Sequence, residues 1–322
     1  MEGNAGESAI HTNHMDVIHD AQLDYYGKIL ATCSSDRTIK IFDVNASGQS
    51  SHVADITGHE GPVWQVCWGH PKFGVVLASC SYDRTIRVWR KDQARGEWGC
   101  VFVSRKMELS VNSVCWAPHE HGLTLAAACS SGDVIIIEQR GDSWVETSAF
   151  RAHSVGVNAV CWRPVMPVIQ SGNASPSKQI VTGGCDNIVR IWTCDPATGD
   201  WKETGTLAQH EDWVRDVAWA PNIGIPYEAI ATCSQDGVVL VWRSEGQPGS
   251  KWTSTLLNKF KEPVWRVSWS ITGNILAVTS GENSVTLWKE ELEETGAGAG
   301  AGAGRRWTCV SDSVGKGTAK AR

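Results

Sequence analysis

The chain has 322 residues, 42% hydrophobic and 20% charged, enough to bury a sizeable core in one large domain or two small ones. Its formal net charge of -6 argues against a broad phosphate-neutralising surface for nucleic acid, and no stretch reaches the roughly eighteen apolar residues of a membrane span. The first residues, MEGNAGESAIHTNH, lack the basic start and apolar run of a secretory signal, so a cytosolic protein is expected. Eleven cysteines, odd in number and without a Cys-x-x-Cys pair, read as small buried thiols rather than disulfides or zinc ligands.

In chain order, the first unit begins with a degenerate segment, DVIHDAQLDYYG (16–27), followed by LATCSSDRTIKIFD (30–43). The second unit repeats both parts as HEGPVWQVCWGHP (59–71) and LASCSYDRTIRVW (77–89). LSVNSVCWAPH and LAAACSSGDVIIIE (109–138) make the third unit, HSVGVNAVCWRP and IVTGGCDNIVRIW (153–192) the fourth. HEDWVRDVAWAP and IATCSQDGVVLVW (210–242) form the fifth, and KEPVWRVSWS and LAVTSGENSVTLW (261–288) the sixth. A period of about 49 residues is that of a four-stranded propeller blade. Alternating apolar runs such as TIRVW, separated by turn formers such as SYDR, have the period of half-buried antiparallel strands. Fourteen of the seventeen tryptophans fall in three repeat registers, which assigns this residue mainly to blade packing. The expected architecture is all-β, one six-bladed β-propeller over 15–312, with blades at about 15–57, 58–108, 109–151, 152–208, 209–260 and 261–312. Residues 1–14 and 313–322 are expected to be flexible, and TGAGAGAGAG (295–304) to be an inserted surface loop or tether. PVMPVIQSGNASPSK (164–178) reads as a second exposed loop.

The His, Ser/Thr, Asp, Trp spacing resembles the WD-repeat family over essentially the whole chain. That resemblance implies hydrogen-bonded sets inside the blades: His59, Ser79, Asp83 and Trp89; His153, Thr182, Asp186 and Trp192; His210, Thr232, Asp236 and Trp242. Such sets satisfy buried polar groups. A hydrolase triad is the competing reading of Ser, His and Asp, but three repeated copies favour structure over catalysis. His119 and His121 with Glu120 could ligate a metal, although two turn histidines are weak evidence without a matching cluster. No phosphate loop or dinucleotide fingerprint is present, and no enzyme activity or cofactor is expected. The third unit has Ala128, Gly132 and Glu138, and the sixth Lys261, Val278 and Glu282, in place of the set, so both are expected to be locally less stable.

Each unit supplies its own four strands in the same order, leaving nothing obvious to latch a ring. The expectation is therefore an open ring whose first and sixth blades offer apolar faces to a strand-rich partner segment, with a closed six-blade ring as the alternative. The insertion cleft is expected around Val17, Ile18, Ala21 and Leu23 and around Val264, Trp265, Val285 and Leu287, subject to strand alternation. The stretches 18–44, 58–83, 210–226 and 264–290 resemble the family of small propeller subunits of the COPII outer coat. That resemblance implies a non-enzymatic scaffold that accepts a seventh blade in trans. The implied partners are an α-solenoid coat rod subunit of COPII, a scaffold nucleoporin of the nuclear pore Y-complex, and a lysosomal or vacuolar amino-acid signalling complex. The implied location is cytoplasmic, on endoplasmic reticulum exit sites and vesicles, and at nuclear pores, with membrane contact only through partners. The rivals are a substrate-receptor or peptide-reading adaptor and a sister propeller nucleoporin.

Overall fold

The computed structural model describes residues 10–92, 94–165, 177–222, 227–245, 250–282, 284–292 and 305–313. The two insertions expected as surface loops therefore lie mostly or wholly outside the described residues, as does the tail beyond Ser313. Six four-stranded antiparallel sheets account for the described fold, each with its strands in sequential order. These are the six blades of the expected β-propeller class, and among the described residues only two short 3-10 turns, Pro71–Phe73 and His119–His121, interrupt the strands. No helix among the described residues is long and apolar enough to cross a membrane.

Chain contacts fall into two compact units, Met1–Ala149 and Phe150–Arg322. In the first, Ala31, Cys33, Ile39 and Ile41 of blade 1 pack on Val63, Val66 and Leu77 of blade 2. The opposite face of blade 2, with Val76, Ala78, Ile86 and Val88, packs on Val111, Val114 and Leu125 of blade 3. In the second unit, Val181, Val189 and Ile191 of blade 4 meet Val214, Val217, Ile230 and Leu240 of blade 5. Ala231, Val239 and Val241 of blade 5 in turn meet Val264, Val267, Leu276 and Val278 of blade 6. At each of these junctions the first blade presents its trailing face and the next its leading face.

Which residues reach each face is set by a bulge. The first strand of all six blades shifts register after its opening residue, as between Val63 and Gln65 opposite Ser81 and Cys80. One extra residue puts positions three apart on one face instead of opposite faces. That is why V-x-x-V recurs where strict alternation would read V-x-V.

The tryptophan registers acquire a physical reason here. In blades 2, 3 and 6 the indole ending the first strand donates to a first-strand carbonyl of the preceding blade: Trp68 to Gln22 at 2.9 Å, Trp116 to Cys67 at 2.9 Å and Trp269 to Ala218 at 3.1 Å. The same ring meets the tryptophan opening the fourth strand. The pairs are Trp68–Trp98, Trp116–Trp144, Trp162–Trp201, Trp219–Trp252 and Trp269–Trp307, with centroids 5.8 to 6.1 Å apart. One side chain therefore gives edge packing and closes a buried donor across the blade junction.

Four of the eleven cysteines are buried and none is in a disulfide, whereas Cys100 and Cys309 are exposed, against the expectation of buried thiols. Both lie on fourth strands, at the outer edge of their sheets.

Candidate functional site: uncovered blade faces

The structure brings together all three polar sets. In blade 2, Trp89 Nε1 donates to Ser79 Oγ at 2.8 Å, and that oxygen lies 2.7 Å from His59 Nε2. His59 Nδ1 is 2.8 Å from Asp83 Oδ2. One neutral tautomer satisfies the whole chain: the hydroxyl donates to Nε2, and Nδ1-H donates to the carboxylate. In blade 4 the corresponding distances are 3.1 Å for Trp192 to Thr182, 2.8 Å for Thr182 to His153 and 2.8 Å for His153 to Asp186. Blade 5 repeats them with Trp242, Thr232, His210 and Asp236 at 3.0, 2.8 and 3.3 Å. Burial pushes the imidazoles of His59 and His153 below their ordinary value despite the facing carboxylates. Burial alone would raise Asp236, but hydrogen bonds from His210 and from the Glu211 and Val238 amides outweigh it and lower it to about 2.

Ser79 and Thr182 are wholly buried, and each accepts an indole proton, so neither hydroxyl is presented to a substrate. His119 is stacked on His70 at 4.3 Å, and among the described residues no group of three or more His, Cys, Asp or Glu could hold a metal ion.

A fourth set escaped the sequence reading. His14 Nδ1 is 2.8 Å from Asp36 Oδ2 and its Nε2 is 2.9 Å from Thr32 Oγ1. The residue at the tryptophan position is Phe42, which needs no acceptor. His14 was expected within a flexible N-terminus, yet its side chain is almost wholly buried in blade 1. The signal was present, a histidine spaced from Thr32 and Asp36 much as His210 is from Thr232 and Asp236, but the degenerate first strand hid it.

The two terminal faces break the burial pattern. At the first leading-face position, Val63, Val111, Val157, Val214 and Val264 are all 0% exposed, whereas Ile18 is 42% exposed. Ala21 and Leu23 are exposed and Leu30 is half-buried, although Leu77, Leu125, Ile180, Ile230 and Leu276, which match Leu30, are fully buried. Val17, beside Ile18, is also exposed. On the trailing face, Ile39, Ile86, Val134, Val189 and Val239 are fully buried, while Val285 in blade 6 is 43% exposed. Leu287 and Ala277 are half-buried where their counterparts are buried. Blade 1 thus has an uncovered leading face and blade 6 an uncovered trailing face.

Trp265 belongs to this exposed set. The second first-strand residue reaches forward in other blades: His19 meets Trp64 at 4.5 Å, Trp64 donates to Ser110 at 2.9 Å, and Arg215 lies 4.9 Å from the Trp265 ring. Trp265 is itself 45% exposed. Val264 is a correction to the expected cleft. The bulge fixes it on the leading face of blade 6, where it is buried against blade 5 rather than turned to the uncovered side.

Blades with intra-blade histidine, hydroxyl, carboxylate and indole sets define a class, the WD-repeat β-propeller proteins. The WD domain, G-beta repeat family matches residues 7–43, 50–90, 144–193, 201–243 and 254–289, skipping much of the third blade, which lacks the set. Within this class the chain belongs to the SEC13 family. It is 48% identical over 292 residues to "Protein SEC13 homolog" of Drosophila melanogaster, covering 88% of this chain and 80% of that protein. It is 44% identical over 331 residues to "Protein transport protein SEC13" of Cryptococcus neoformans var. neoformans serotype D, covering 94% and 96%. "Protein SEC13 homolog" of Bos taurus is 49% identical over 317 residues, covering 96% and 94%.

Proposed function

We propose that the protein is a non-enzymatic scaffold subunit of the COPII vesicle outer coat, acting in transport from the endoplasmic reticulum to the Golgi. The observation that carries the reading is the pair of uncovered apolar faces on blades 1 and 6, in a chain whose SEC13 relatives include proteins named for protein transport. Exposed apolar surface of this kind marks a protein interaction site. A strand-rich segment of an α-solenoid rod subunit would cover both faces as a seventh blade and so stiffen the rod against membrane bending. The same faces would serve a scaffold nucleoporin of the nuclear pore Y-complex and an amino-acid signalling assembly at the lysosome or vacuole. Location would follow the partners: cytoplasm, endoplasmic reticulum exit sites and nuclear envelope.

The test is capture of stoichiometric partners from native cytosol by the tagged wild-type chain and by an Ile18→Asp, Val285→Asp double variant. Recovery of large α-solenoid proteins by the wild type alone is expected. Recovery of ligase adaptors without any solenoid would contradict the coat reading and favour the substrate-receptor alternative.

A further inference from the structure

Away from the terminal faces, the first unit holds a cavity of about 280 Å³ lined by Glu60, Asp83, Arg84, Thr85, Arg87, Arg105 and Met107. That volume is near the lower end of small-molecule sites, about 300 Å³. Three of its seven lining residues are arginines, and none of the three forms a salt bridge among the described residues. Arg84 and Arg105 are exposed at the rim, whereas Arg87 is only 8% exposed. Leaving a buried guanidinium without a counter-charge is costly.

Among the three blades that carry a cation at this third-strand position, blade 2 alone offers it no carboxylate partner. Lys40, Arg87 and Arg190 occupy equivalent positions on the third strands of blades 1, 2 and 4. In blade 1 the fourth strand supplies Asp55, 3.8 Å from Lys40 Nζ. In blade 4 it supplies Glu203, 3.4 Å from Arg190 Nε, and Asp186 lies 2.7 Å from Arg190 Nη1. The fourth strand of blade 2, WGCVFVS, contains no acidic residue, and Val103 stands opposite Arg87. Arg87 keeps one long hydrogen bond, from Nε to Thr85 Oγ1 at 3.4 Å, and lies 5.8 Å from the Trp89 ring. Gly58 makes room for it, since a Cβ there would sit 2.9 Å from Arg87 Nη1.

The carboxylates in the lining do not fill this role. Asp83 accepts from His59 Nδ1 and the Glu60 amide at Oδ2, and from the Thr85 amide and hydroxyl at Oδ1, so both oxygens are already used within the blade. Glu60 is exposed and forms no salt bridge with the arginines. Planar guanidinium forks fit phosphate oxygens in bidentate fashion, and several together compensate a dianion. We propose that the cavity lined by Arg84, Arg87 and Arg105 in blade 2 binds a phosphate monoester, carried on a small metabolite or on a phosphorylated side chain. Met107 gives the ester stem an apolar wall.

The experiment is calorimetric titration of the full chain at low ionic strength with inorganic phosphate, O-phosphoserine and a phosphoserine peptide, with acetate as the control anion. Saturable binding of the phosphates is expected, weakened about tenfold in Arg87→Met, as loss of one charge-assisted contact requires. Arg105→Gln, at an exposed residue that does not hold the blade together, gives the same loss in a folded protein, and Lys72→Gln leaves binding unchanged. Tighter binding of the peptide than of phosphoserine assigns the phosphate to a modified side chain; equal binding assigns it to a small metabolite. No saturable binding of any phosphate probe, acetate binding as tightly, or affinities unchanged in both arginine variants would overturn the proposal.

Discussion

Blades 2 and 6 have the same strands, the same first-strand bulge and the same tryptophan pair, yet they solve the buried-polar problem differently. In blade 2 the Trp89 indole, the Ser79 hydroxyl, the His59 ring and the Asp83 carboxylate form one chain of hydrogen bonds. In blade 6 Val278 replaces the hydroxyl, and the Trp288 indole donates instead to Thr286 on its own strand at 2.8 Å. Glu282 accepts from the Lys261 backbone amide at 3.1 Å, as Asp83 accepts from the Glu60 amide, and Phe260 stands at the histidine position, packed on the apolar core. Blade 2 is covered on both faces and blade 6 on one. The difference separates two jobs: the polar set fixes loop against strand within a blade, while the apolar faces join blade to blade. A blade can lose the first and keep the second.

Substitutions at matched positions sharpen that separation. A charge at Val63, fully buried between blades 1 and 2, should cost more than about 4 kcal/mol and prevent folding, whereas Ile18→Asp at the equivalent exposed site should shift the midpoint of urea unfolding only slightly. Comparable loss in both would mean that the leading face of blade 1 is covered. Next in size, His59→Ala strands a buried hydroxyl and carboxylate at a cost of about 3 kcal/mol, whereas Phe260→Leu at the equivalent position of blade 6 strands no polar group and keeps most of its packing, at less than about 1 kcal/mol. Equal costs would show that the polar set adds nothing beyond packing. Trp68→Phe keeps most of the ring contact with Trp98 but loses the bond to the Gln22 carbonyl, at about 1 kcal/mol by the same denaturant titration.

The pH dependence follows from the same sets. Burial lowers His59 and His153 below 6.5 in the folded chain, so the unfolded chain takes up these protons first as pH falls. Their contribution is complete above 6.5 and is lost progressively below it, so stability should decline between pH 7 and 5. The carboxylate of Asp236, lowered from 3.8 to about 2, acts in a separate window: its contribution is present above 3.8 and lost as pH falls toward 2. A His59→Gln, His153→Gln variant should flatten the first slope and leave the second; an unchanged first slope would assign it to other groups.

Much of this was legible in the sequence because it depends on residue type at fixed spacing. The six units, their antiparallel strands and the three complete polar sets are of that kind. The uncovered faces were legible in outline, since each of the six repeats supplies its own four strands. Val264 was misplaced because face assignment depends on a bulge, which moves side chains by one residue without leaving a mark in composition. His14 was missed because the strand after it, IHDAQL, lacks the valine and tryptophan positions that identify the others. The role of the arginine pocket was not legible at all. It rests on what the fourth strand of blade 2 lacks, and that becomes visible only when Arg87 is set beside Lys40 and Arg190 in register.

The most direct test is hydrogen exchange of the chain alone and bound to its captured solenoid partner. Protection on binding should concentrate in Ile18–Leu23 of blade 1 and Ser284–Leu292 of blade 6, with the strands of blades 2 and 5 unchanged. Protection confined to the inter-strand loops, with both of those segments exchanging as fast as in the isolated chain, would contradict docking on the uncovered faces.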